Sequence, residues 1–134
     1  DCEHFTLAHG TLHSPDSFDY ILTIYDAHLS FQTLQRSICF LGHSHVPITF
    51  FNDNPISYMI EPEINLDGTD KVLVNVGSVG QPRDQDKRAA WALYDVEKRR
   101  VWIRRVEYDV EAAARKILEA GLPQMNAERL SLGR

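Results

Sequence analysis

The sequence has only two cysteines in 134 residues, Cys2 and Cys39, and no Cys-x-x-Cys pair, which excludes a disulfide scaffold and a cysteine-based zinc ribbon. Two unpatterned thiols suit a reducing cytosol, so the expected location is cytoplasmic. No stretch approaches the roughly 18 apolar residues that cross a bilayer, and no membrane association is expected. Positive charge is scarce at the start: residues 1–82 hold two basic and ten acidic side chains, and the whole chain carries −5 with histidine neutral. Such a chain repels a phosphate backbone, which argues against generic nucleic-acid binding. Only residues 83–105 reverse the sign, with eight basic against four acidic residues. A cluster of this kind is usually a solvated hairpin face. What remains, 43% hydrophobic and 25% charged, is the composition of one globular domain.

Periodicity predicts a mixed chain of short strands and a few helices. Residues 4–9 read as a strand ending at Gly10, followed by a loop containing Pro15. Ala27, Phe31 and Leu34 give a helical period over 26–34, and a strand is expected at 37–41. Residues 48–52 and 56–60 read as a hairpin. Residues 71–76 are nearly all apolar, the pattern of a strand buried on both faces; a loop with Gly77, Gly80 and Pro82 follows. Strands at 89–95 and 101–108 flank the charged turn Glu97-Lys98-Arg99. The chain closes with a helix capped by Asp109, its apolar stripe formed by Val110, Ala113, Ile117 and Leu118, and stopped at Gly121 and Pro123. A last short helix to Leu132 is expected to be capped by Asn126.

All six histidines, at positions 4, 9, 13, 28, 43 and 45, fall in the first third of the chain. Imidazole is a common ligand for zinc, iron, manganese and nickel, and a turn bearing two of them two residues apart can turn both to one side. His43-Ser44-His45 has that spacing, directly after a predicted strand and after Gly42. His9 has the same context, a strand end followed by glycine. A strand-end histidine of this kind is more often a surface or capping residue than a ligand, so the spacing of His9 alone leaves both readings open. His4, His13 and His28 read as ordinary exposed or half-buried side chains.

The octapeptide Phe40-Leu41-Gly42-His43-Ser44-His45-Val46-Pro47 resembles the Gly-His-x-His signature of the calcineurin-like metallophosphoesterases, in the spelling of their small bacterial and archaeal phosphodiesterase-type members. His9-Gly10 resembles that family's preceding metal histidine. Residues 74–83, Val-Asn-Val-Gly-Ser-Val-Gly-Gln-Pro-Arg, resemble the loop that follows, with Val76 where proline is usual, and the closing hairpin and helices fit the same subgroup. The resemblance implies an α/β (α+β) fold, the C-terminal part of a four-layer αββα sandwich. It also implies phosphate-ester hydrolysis by a metal-bound hydroxide at two divalent transition-metal ions, Mn, Fe, Ni or Zn. His9 and His43 are then expected on the second ion and His45 on the first. Arg83 is expected on the substrate phosphate, or else in a surface ion pair with Asp84 or Asp86.

The family's first half carries Asp-x-His, a Gly-Asp whose carboxylate bridges both ions, and Gly-Asn-His with the catalytic histidine; none of these motifs precedes His9 here, so no catalytic residue is assigned. Three neutral imidazoles do not hold two dications close together without a bridging carboxylate. Residues 1–134 are accordingly expected to be the C-terminal portion of one metallophosphoesterase domain, inactive alone and holding at most one ion. The missing half-domain is the expected partner, in cis or in trans, and a homodimer through an exposed sheet is a further expectation. The competing reading is a non-catalytic metal-binding or interaction remnant of the fold. The sequence leaves the substrate open among monoesters, cyclic nucleotides, dinucleotides and nucleic acid.

Overall fold

A computed structural model describes residues 2–134. The described residues form β1 (Thr6–Leu7), α1 (Ile24–Thr33), β2 (Ile38–Leu41), β3 (Ile48–Phe51), β4 (Ser57–Met59), β5 (Glu63–Asn65), β6 (Val72–Asn75), β7 (Ala89–Asp95), β8 (Arg100–Val106), α2 (Val110–Glu119) and α3 (Gln124–Leu132). The strands make two sheets, one ordered β1-β2-β6-β3-β4 and the other β5-β8-β7. In the first, β1, β2 and β6 run parallel, with Leu7 opposite Phe40 and Leu41 opposite Asn75. Their C-terminal ends therefore open on one edge of the sheet. This is where side chains distant in sequence meet in α/β folds.

Alternation along β2 and β6 sends apolar side chains to both faces. On one face Cys39, Leu41 and Leu73 join Phe50 beneath Ala27 and Phe31 of α1, with Ile21 and Leu34 at its ends. On the other face Ile38, Val72 and Val74 pack against Ile64, Leu66, Val101 and Ile103 of the second sheet. All four residues of β6 are buried, as its apolar run predicts.

The expectation of an exposed sheet face is corrected by this packing, because the β7–β8 hairpin and β5 fold over it. Among other places, apolar side chains remain exposed along the side where β1 and β7 are both edge strands. There Leu7, Phe40, Val79 and Trp91 help line an open groove of about 540 Å³.

Three local expectations also change. β5 is not visible in the sequence: Ile64 is its one apolar residue, and pairing with Arg100–Trp102 of β8 makes it a strand. The first helix starts before residue 26 because Thr23 and Asp26 form a reciprocal capping box, which puts Asp26 in the third helical position. Asn126 does not cap α3; it lies inside the helix, whose cap position is Pro123. Asp109 caps α2 as predicted, its carboxylate accepting from the Ala112 N–H at 2.8 Å.

Candidate metal centre

The parallel pairing of β1 with β2 brings His9 and His43 together. The ladder runs on past both strands, with the Ala8 N–H donating to the Phe40 carbonyl (3.1 Å) and the Gly42 N–H to the His9 carbonyl (3.0 Å). His9 Nε2 and His43 Nδ1 are 2.9 Å apart and share a hydrogen bond. Two nitrogens in adjacent positions of one octahedral ion at about 2.1 Å lie about 3 Å apart, so the observed spacing matches a pair of ligands to one cation. A cation held by both rings would displace the shared proton.

His45 is held differently. Its Nδ1 lies 2.8 Å from the Gln81 carbonyl oxygen. A carbonyl only accepts, so Nδ1 carries the proton and Nε2 is left as the donor atom for a metal. This backbone contact is the usual way a metal-binding histidine is oriented. Burial lowers the His45 pKa from its ordinary value, the Gln81 bond opposes that shift, and the charges of Arg83, His43 and His9 add to it. The net shift favours the neutral ring, the form in which an imidazole binds a metal.

The turn bearing these rings is strained. His43 and His45 have φ of 67° and 63°, a region that costs a non-glycine residue on the order of 1 kcal/mol. Asn75, at the end of β6, holds the turn in place: its Nδ2 donates to the Gly42 carbonyl and to Ser44 Oγ, both at 2.8 Å. Its Oδ1 accepts from the Gly77 N–H at 3.0 Å. The Ser44 N–H to Gly42 carbonyl bond (2.8 Å) and the Arg83 N–H to His45 carbonyl bond (3.2 Å) complete the support. The sequence signal for Asn75 is a lone amide closing an otherwise apolar strand.

Arg83 sits beside His45, its Nη2 donating to Gln81 Oε1 at 2.8 Å while its buried Nε has no hydrogen-bond partner. The expected surface ion pair with Asp84 or Asp86 does not form, because Asp84 is engaged by Arg105 and Asp86 by Arg88. Arg88 holds the Asp86 carboxyl down to about 2. Among the described residues no three or more His, Cys, Asp or Glu side chains are grouped to hold an ion. The His9–His43 pair offers two nitrogen donors and no carboxylate, which two neighbouring cations need. Two aromatic residues that the sequence did not single out border the pair: Tyr20 stacks on His43 and Phe18 stands edge-on to His9.

The mixed architecture of two sheets and three helices, with histidines gathered at one sheet edge, is a metallophosphoesterase-like fold. A metallophosphoesterase from Sphaerobacter thermophilus superposes on all of this chain with a TM-score of 0.91 at 30% identity, the chain covering 57% of it. This likeness supports the calcineurin-like metallophosphoesterase superfamily. It is also 43% identical over 98 residues, 72% of its length, to an uncharacterized protein of Methanocaldococcus jannaschii, of which the match covers 40%. A hypothetical protein from Pyrococcus horikoshii OT3 shares the fold at a TM-score of 0.70 and 18% identity over 97% of this chain and 46% of its own. The chain thus spans about half the length of these relatives or less. No family model matches it. No helix among the described residues is long and apolar enough to cross a membrane.

Proposed function

We propose that the protein is a metal-dependent phosphoesterase, hydrolysing phosphomonoesters or phosphodiesters, and that this chain supplies the histidine side of its reaction centre. The observation that carries the reading is the 2.9 Å approach of His9 Nε2 to His43 Nδ1 at the sheet edge, with His45 in the same turn as His43. In this reading His9 and His43 hold one divalent ion, Mn, Fe, Ni or Zn, and His45 serves a second. When bound, such ions supply Lewis acidity toward a phosphoryl oxygen and acidify water. The Gln81 carbonyl keeps the His45 proton on Nδ1, and the Arg83 guanidinium, a planar multiple donor, binds and orients the substrate phosphate.

The carboxylates, and the histidine that protonates the leaving group, belong to a further half-domain. Its proposed seat is the apolar groove between the β1 and β7 edges, where Leu7 (61% exposed) and Val79 (67%) remain uncovered. The greater length of the relatives supports that arrangement. Free thiols at Cys2 and Cys39 agree with a cytoplasmic location.

The test compares the purified 134-residue chain with a longer protein that adds the Asp-x-His, Gly-Asp and Gly-Asn-His motifs. The chain alone is expected to take up at most one ion and to leave bis(p-nitrophenyl) phosphate intact, and the longer protein to bind two ions and turn it over. Turnover by the short chain with two ions contradicts the half-centre. An inactive longer protein with both ions bound contradicts the phosphoesterase reading.

A further inference from the structure

The Tyr20 ring lies against the His43 ring with centroids 4.1 Å apart and planes 17° from parallel. We infer that Tyr20 is a positioning residue, fixing the plane of His43 so that its Nδ1 faces His9 Nε2; this rests on the metal-binding reading above. An imidazole needs such a device here. Rotation about its χ2 is soft and roughly two-fold, so a half-buried ring on a turn does not hold one nitrogen toward a neighbour by rotamer preference alone. The hydrogen bond to His9 does not suffice either, because His9 is itself exposed.

The fold fixes Tyr20 through the loop between β1 and α1. The Thr11 N–H donates to the Asp19 carbonyl at 3.0 Å, which closes the loop. That carbonyl comes so near Gly10 that a Cβ there would lie 2.4 Å from its oxygen. Leu12 N–H bonds Ser30 Oγ of α1 at 3.2 Å, and Ile21, the residue after Tyr20, is buried in the core beneath α1. Tyr20 therefore sits between two anchored neighbours, with its ring on His43 and 43% of its surface exposed. Burial does not account for its placement. The stack also explains why glycine follows His9: any side chain at Gly10 displaces Asp19 and, one residue on, the ring that covers His43.

The experiment uses the 134-residue chain with Co(II), whose absorption reports ligand geometry. Replacing an outer partner of a metal ligand lowers affinity about 10- to 100-fold. Tyr20→Ala is expected to weaken Co(II) binding about tenfold and to change its spectrum, whereas Tyr20→Phe, which keeps the flat ring, stays within about twofold. A second arm needs no metal: in the apo chain Tyr20→Ala removes the proton NMR contact between the His9 and His43 rings, while the thermal midpoint holds. Unchanged affinity and unchanged ring contact in Tyr20→Ala overturn the inference, as does equal weakening by Tyr20→Phe. If the natural chain binds no Co(II), the metal reading fails, and the apo arm still decides whether Tyr20 orients His43.

Discussion

Asn75→Leu is expected to destabilise the chain by about 3 kcal/mol and to dissolve the turn that carries His43 and His45. Asn75 is 1% exposed, and all three of its side-chain hydrogen bonds, to Gly42, Ser44 and Gly77, are internal. Leucine matches its volume roughly but leaves the Gly77 N–H without its partner and the Gly42 carbonyl with the Ser44 N–H alone. A buried group so orphaned costs about 1–3 kcal/mol, and the added apolar burial offsets only part of that. For a domain of this size each kcal/mol lowers the thermal midpoint by roughly 3–5 °C, so a fall of about 10–15 °C is expected. Metal binding should fall with it, because the strained φ values of His43 and His45 persist only while the turn is held. Denaturant unfolding with and without Zn(II) reads both effects; a loss below about 1 kcal/mol contradicts the role assigned to Asn75.

Gly77→Ala is expected to cost about 3 kcal/mol by a different route. Gly77 has φ of +79°, and a Cβ there would lie 2.8 Å from Pro47 Cγ and 2.9 Å from Ala90 Cβ. The left-handed backbone accounts for about 1–2 kcal/mol and the forced shift of packed neighbours for about 1–3. Gly68→Ala separates the two: its φ is +75° with nothing within 4 Å of the added carbon, so it bears only the backbone cost. Because Pro47 follows the histidine turn and Gln81 follows Gly77 in the same loop, moving Gly77 also pulls the Gln81 carbonyl from His45. Equal destabilisation by the two substitutions contradicts the packing argument.

How much of this was legible in the sequence depended on the range of the interaction. The burial of β6 on both faces followed from its continuous apolar run, and the Asp109 cap from the stripe after it. The histidine turn was legible because the Gly-His-Ser-His spacing is local and tied to a strand end. The meeting of His9 with His43 was expected through the family resemblance alone, since no local pattern encodes the parallel pairing of β1 with β2 across the intervening loop and helix. β5 escaped because a three-residue strand with one apolar side chain is defined by its partner strand. Tyr20 and Phe18 escaped for a related reason: their place beside the histidines is set by the return of a loop onto Gly10, which no local pattern encodes. For Arg83, neither expected ion pair formed, because Arg105 and Arg88 had already taken the two carboxylates.

The central claim, that the fold brings His9 and His43 together as a pair of ligands, is tested most directly by long-range nitrogen–proton NMR of the histidine rings during Zn(II) titration of the 134-residue chain. The account predicts one zinc per chain, bound through His9 Nε2 and His43 Nδ1, with His45 keeping its proton on Nδ1. Uptake of zinc by His4, His13 or His28 with the His9 and His43 rings unchanged would contradict it.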